Sequence, residues 1–225
     1  MVTASKTPVV LCWSGGKDSA MALFELRNSA EYEVVALLTT VTRDFDRISM
    51  HGVSRTLLHR QAELVGVPLD EVWISLGAGN AEYEASMEQM LTGYRTRGIT
   101  TVAFGDIFLE DLRAYREENL KRVEMDAIFP IWKRETRELA REFIAAGFRS
   151  ITCCVDSRHL DESFLGRVID DNFLMALPEG VDPCGENGEY HSFAFAGPIF
   201  RQSLPVRTGE MVRRDSFMFC DLLPI

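Results

Sequence analysis

Val9-Val10-Leu11-Cys12-Trp13 runs straight into Ser14-Gly15-Gly16-Lys17-Asp18-Ser19, and this junction decides the fold. An unbroken apolar run of this length is the pattern of a strand buried on both faces, as in a parallel sheet. The two glycines let the backbone approach an anion, and the free amides at a helix start point toward it. Ser14 and Ser19 add hydroxyl donors, and Lys17 adds a cation. The loop is too short for G-x-x-x-x-G-K-[ST] and lacks G-x-G-x-x-G, so neither the common NTPase loop nor a dinucleotide site fits. A Gly-Gly turn capped by Asp or Ser is the plain alternative. Lys17, Asp18 and both serines at the end of an apolar strand favour phosphate.

Outward from this junction, short apolar runs alternate with helical periodicity. Glu33 to Thr40, Val72 to Leu76 and Thr101 to Gly105 are three further strands. Helices are expected over Asp18–Arg27, Ser54–Gly66 and Ala81–Arg97, the last with Tyr83, Met87, Met90 and Tyr94 on one stripe. Such alternation implies right-handed crossovers and an α/β fold, a doubly wound parallel sheet. After Trp132 the texture changes. A helix over Glu135–Ala146, a strand over Arg149–Val155 and a helix over Asp161–Leu177 precede a loop dense in Pro and Gly. Tyr190–Ala196 and Glu210–Cys220 then predict antiparallel strands. The chain is expected to divide into a nucleotide domain over 1–130 and a smaller α+β substrate domain over 131–225.

Composition narrows the function classes. The 225 residues suffice to bury roughly 70% of the unfolded surface without disulfides or metal. A net charge of −10 argues against a nucleic-acid or anionic-membrane binder, yet leaves room for a small anion held by backbone amides. No apolar stretch reaches membrane-spanning length, and the first residues lack a signal-peptide pattern. The cysteines at 12, 153, 154, 184 and 220 form no C-x-x-C, so reduced thiols in a cytoplasmic protein are expected.

A second dense cluster is Asp182-Pro183-Cys184-Gly185-Glu186-Asn187-Gly188-Glu189-Tyr190-His191-Ser192. Its glycines shape a tight loop from which Glu186, Glu189 and His191 project. These groups suit an ammonium or amine, and each could act as a general base. If the strand begins at Gly188, Glu189 and His191 share one face. A solvated hairpin loop is the alternative, and a lone Cys184 reads as packing.

The loop Ser14–Ser19 resembles that of the ATP-pyrophosphatase (PP-loop) superfamily. Together with FGDIFLEDLR at 104–113, FPIWKRET at 129–136, GENGEYHSF at 185–193 and GPIF at 197–200, it resembles the diphthine–ammonia ligase family over nearly the whole chain. The resemblance implies cleavage of ATP between its α and β phosphates, with Mg²⁺, and transfer of ammonia to an adenylated carboxylate. In the family the second loop looks like E-G-G-E-[FY]-E-[TS], with diphthine on elongation factor 2 as acceptor. Here Asn187 and His191 depart from it, and the E-N-G-E-x-H form is similar to a bacterial branch linked to cobalamin-related metabolism. Adenylation carries over with Ser14–Ser19; the diphthine acceptor does not carry over securely.

On this basis Ser14, Gly15, Gly16, Lys17, Asp18 and Ser19 are the nucleotide-binding residues, joined by Thr39 and Thr40 for adenine. Asp106 is a site residue for Mg²⁺ or ribose, or a helix N-cap. Lys17, Asp18, Glu186, Glu189 and His191 carry the chemistry, and no direct metal ligand is assigned. Arg113, Arg116, Lys121 and Arg122 read as a solvated helix face in preference to a grip on phosphate. The 43–52 loop, with His51, reads as a lid. The two signatures lie far apart in sequence, so 14–19 is expected to hold ATP and 186–191 to choose the acceptor. ATP, ammonia and a carboxylate acceptor are the expected partners, with a homodimer also open. A sulfur-transferring tRNA modifier and a non-catalytic nucleotide sensor are the competing classes.

Overall fold

The structure is a computed structural model, described over residues 5–43, 47–48, 52–77 and 79–225. Five parallel strands form the first sheet: β1 (Thr7–Cys12), β2 (Tyr32–Thr42), β4 (Leu69–Ile74), β5 (Thr101–Ala103) and β6 (Asp126–Ile128). β2 pairs with β1 and β4, β5 pairs with β1, and β6 pairs with β5. The short β3 (Arg47–Ile48) pairs antiparallel with Val41 and Thr42, beyond the end of β1. The chain therefore moves outward one way from β1 and then returns to its other side. That reversal puts a crevice at the carboxyl ends of β1 and β5, where open α/β sheets bind ligands.

The helices follow local chemistry. α1 (Lys17–Asn28) starts after Gly16 with Asp18 in its first turn and Arg27 in its last, matching the helix dipole. α2 (Arg55–Val65) is capped by Ser54, which accepts from the Leu57 amide, and ends at Gly66 with φ 77°. α3 (Asn80–Thr96) and α4 (Glu110–Arg122) cover the opposite face. Alternation along β1 drives this sorting. Val9 and Leu11 join the core shared with α1 and α2, whereas Val10 joins that of α3 and α4.

Beyond α5 (Thr136–Ala145), a second sheet has the antiparallel order β8-β7-β10-β9. Its strands are β7 (Arg149–Asp156), β8 (Tyr190–Ala196), β9 (Val206–Arg214) and β10 (Phe217–Pro224). Both sheets contribute to one continuous apolar core, in which Leu23, Phe143, Phe148, Tyr190 and Phe193 are buried together. The Phe24 and Phe148 rings meet edge to face at 5.7 Å.

Two expectations for the second half are corrected. The helix over 161–177 is a 3-10 turn (Glu162–Phe164) and a separate α6 (Asp171–Ala176). Gly166 lies between them at φ 74°, and Asp161 and Asp170 each cap their own segment. The strand over 210–220 is a hairpin of β9 and β10, turning through Asp215 at φ 53°. The 43–52 lid with His51 lies largely outside the described residues.

Candidate functional site

The crevice opens as a cleft of about 570 Å³, and both sequence signatures line it. The first enters through Ser14, Gly16 and the start of α1, with Gly15 behind them. Gly15 takes φ 77°, and a side chain there would meet Gln61 and Leu58 within 3 Å. At Gly16 a Cβ would lie 2.9 Å from the Ser192 carbonyl oxygen, on β8 at the end of the second signature. The Gly16 amide donates to Ser14 Oγ at 3.2 Å, Ser19 Oγ donates to the Gly16 carbonyl at 3.0 Å, and the two serine hydroxyls lie 3.2 Å apart. The 14–19 segment thus gathers hydroxyls and amides into one bonded cluster at the helix start. Gly16→Ala is expected to push Ser192 away and cost about 1–3 kcal/mol. A lower thermal midpoint together with a weaker calorimetric ATP titration would show it.

Lys17 joins the two signatures. Only 4% of it is exposed, and its Nζ donates to Asp18 Oδ1 and Oδ2 at 2.7 and 2.8 Å and to the Cys184 carbonyl. The ammonium also lies 5.3 Å from the Tyr190 ring centroid, and the Lys17 amide donates to Ser192 Oγ at 3.3 Å. Burial alone would lower the lysine pKa. The Asp18 carboxylate and the other acceptors around it reverse that, so the ammonium keeps its charge. The expected separation of the 14–19 loop from the 186–191 loop is therefore not a spatial one. Backbone and side chain of Lys17 tie them at two points, because β8 runs beside the 14–19 loop and the Ala194 amide donates to the Gly15 carbonyl at 2.8 Å.

Residues of the second signature divide in their surroundings. Glu189 is 2% exposed, and its carboxylate accepts from the Asp182 amide and from the Asn187 backbone and side-chain nitrogens at 3.0–3.1 Å. It turns into its own loop and does not share a face with His191, because β8 begins only at Tyr190. His191 lines the cleft. Glu186 also lines it, with Oε1 accepting from the Ile107 amide at 2.7 Å. Burial, with Asp18 and Asp106 nearby, pushes the Glu186 carboxyl up to about 7, against the Ile107 hydrogen bond and the Lys17 charge. A solvated hairpin does not describe this loop. Cys184 is buried against the Thr136 carbonyl, and burial raises its thiol above the ordinary range, which suits packing.

Thr39, Thr40 and Asp106 line the same cleft. Asp106 is no helix cap, since α4 begins at Glu110. It is paired instead with Arg116, whose Nε lies 2.6 Å from Oδ2. Arg116 overturns the solvated-face reading at its position. Its guanidinium sits 4.4 Å from the Phe104 ring centroid and reaches the cleft. Periodicity alone could not reveal this, because the partner carboxylate and ring come from the end of another strand. Gln61, Tyr190 and Ser192 are further site contacts that charge patterning did not single out. Among the described residues no helix is long and apolar enough to cross a membrane.

The chain matches the family model for the diphthamide synthase N-terminal domain over residues 7–126 and that for the diphthamide synthase C-terminal domain over 135–222. A diphthine–ammonia ligase from Rattus norvegicus is 30% identical, covering 88% of this chain and 82% of the relative. That from Homo sapiens is 26% identical over the same shares. Among solved structures, a predicted subunit of tRNA methyltransferase from Methanocaldococcus jannaschii aligns over 65% of this chain and 80% of its own, with TM-score 0.45 and 16% identity. The U34-tRNA thiolase NcsA from Methanococcus maripaludis aligns over 64% and 58%, with TM-score 0.41 and 16% identity. With both halves matched in order and the two signatures meeting in one cleft, the chain belongs to the diphthamide synthase family and is a ligase for which family membership implies use of ATP.

Proposed function

We propose that this ligase adenylates a substrate carboxylate and then transfers ammonia to it, releasing AMP and diphosphate. The observation that carries the reading is Lys17, a buried ammonium joining an anion-binding helix start to an acidic loop in one cleft. The residues at 14–19 would cradle the triphosphate, and Thr39 and Thr40 would meet the adenine. A carboxylate oxygen of the acceptor attacks the α-phosphorus, and the bond to diphosphate breaks. Lys17 offsets the charge that builds on the departing diphosphate. Ammonia attacks the acyl carbon, AMP leaves, and the nitrogen gives a proton to Glu186, whose raised pKa suits that exchange near neutrality. His191 would orient the acceptor. Glu189 would act by holding the loop in shape.

Mg²⁺ fits this cleft in one form. Asp18, Asp106 and Glu186 crowd negative charge there, but among the described residues no group of three or more His, Cys, Asp or Glu is set to hold a metal. An ion carried chiefly by phosphates and water, with Asp18 or Asp106 behind it, matches the preference of Mg²⁺. When bound, it supplies neutralisation of phosphate charge.

The two halves, 1–130 and 131–225, would contribute nucleotide and acceptor contacts respectively, in a protein acting in the cytoplasm. The acceptor could be diphthine or, following the E-N-G-E-x-H departure, another carboxylate such as a cobalamin-related one. A sulfur-transferring role is less well supported, since four of the five thiols are buried. Incubation with ATP, ammonium and a panel of carboxylates should yield AMP and diphosphate only with the true acceptor. ADP as the sole nucleotide product would overturn the reading.

A further inference from the structure

Gln61 lies on α2, outside both signatures, and is fully buried. Its side chain makes three hydrogen bonds to three different elements. Trp13 Nε1 donates to Gln61 Oε1 at 2.8 Å, and Gln61 Nε2 donates to the Gly15 carbonyl at 2.9 Å and the Ala194 carbonyl at 2.6 Å. An indole N–H can only donate, so Oε1 must face Trp13 and both amide hydrogens must face the two carbonyls. The group is fully satisfied and has one orientation.

That orientation has a consequence for the phosphate loop. The Gly15–Gly16 peptide is a rigid plane, with its C=O and N–H pointing in opposite directions. Turning this plane over changes ψ at Gly15 and φ at Gly16, and neither residue has a Cβ to oppose the rotation. Gln61 and the Ala194 amide both hold the carbonyl inward. The Gly16 N–H is thereby aimed the other way, where it donates to Ser14 Oγ at the cleft. From this geometry we infer that Gln61 is a positioning residue for the nucleotide. By locking the Gly15–Gly16 peptide, it keeps the Gly16 amide on Ser14 Oγ and so holds the Ser14 hydroxyl in the cleft where the phosphate of ATP would lie. Trp13 acts one step further back, fixing which end of the Gln61 amide faces the loop. The inference rests on the ATP reading of the cleft.

The test uses two near-isosteric variants of the full chain. Gln61→Met removes both donors, and Gln61→Glu keeps the acceptor for Trp13 but opposes the two carbonyls with a carboxylate. Leu57→Ala, a buried change on the same helix, serves as a control for lost packing. ATP and inorganic diphosphate are titrated by calorimetry, and the Gly16 amide is followed by NMR. Both Gln61 variants should bind each ligand at least about tenfold more weakly and shift the free Gly16 resonance. KM for ATP should rise more than kcat falls. Leu57→Ala should lower the thermal midpoint with ATP affinity unchanged. If the Gln61 variants lose stability but bind as wild type does, Gln61 is a core residue only and the inference fails. If wild type binds neither ligand, the ATP reading fails first and the inference falls with it.

Discussion

Lys17→Ala is expected to lose ATP binding by about 2–3 kcal/mol, roughly 30- to 150-fold, the scale of a charge-assisted hydrogen bond to phosphate. Its effect on the protein itself should also be large. The ammonium is 4% exposed and satisfies Asp18 and the Cys184 carbonyl at once. Removing it leaves an anion beside a carbonyl in a cleft already crowded by Asp106 and Glu186. Losing one partner of a buried pair costs about 3–5 kcal/mol, and the partial exposure of Asp18, 30% at its side chain, brings this case toward the lower end. Lys17→Ala combined with Asp18→Asn removes the stranded charge and should recover much of the thermal midpoint. It should not recover ATP affinity. Calorimetry and thermal unfolding on the single and double variants separate the two effects, and equal ATP binding by Lys17→Ala and wild type would remove Lys17 from the phosphate site.

The sequence made the first half legible because each parallel strand must be apolar on both faces. Val9–Trp13 and Glu33–Thr40 announce themselves for that reason, and the glycine pair after Trp13 marks the point where the chain turns into α1. The weaker signals were lost where local and tertiary forces compete. β6 is as short as β5 but begins on the exposed Asp126 and is only partly buried, so it lacks the apolar run that marks β5. The 161–177 segment carries apolar residues at helical spacing, yet Gly166 and two capping aspartates divide it. In the site, the glycines and acidic residues of 182–192 could be recognised as a shaped loop. Their division of roles could not. Whether a carboxylate such as Glu189 closes its own loop or, like Glu186, faces a cleft depends on which backbone amides come near. Arg116 shows the same limit, since a helix pattern does not say which carboxylate or ring another strand will bring against it.

Glu186 sets the expected pH dependence. A group whose folded pKa is raised from 4.5 to about 7 binds its proton more tightly in the native state than in the unfolded chain. Its stabilising contribution is therefore present in full below the ordinary carboxylate pKa and is lost as pH rises toward about 7. Activity should run the other way. Only the carboxylate can take the proton from the attacking nitrogen, so acceptor-dependent AMP release should rise with pH through a midpoint near 7. Below that midpoint it should fall about tenfold per pH unit. Glu186→Gln keeps the shape and the contact near the Ile107 amide but cannot accept a proton. It should lower kcat by about 10²–10⁴-fold, flatten the acidic limb, and leave ATP affinity close to that of wild type. The variant should also be the less pH-sensitive protein between pH 4.5 and about 7, because it lacks the carboxylate whose ionisation burial opposes. An unchanged pH–rate profile would move the proton to another group, with His191 next in the cleft. A profile lost together with ATP binding would instead place Glu186 in the nucleotide contacts, a result compatible with the Lys17 ties between the two loops but not with a base acting on ammonia.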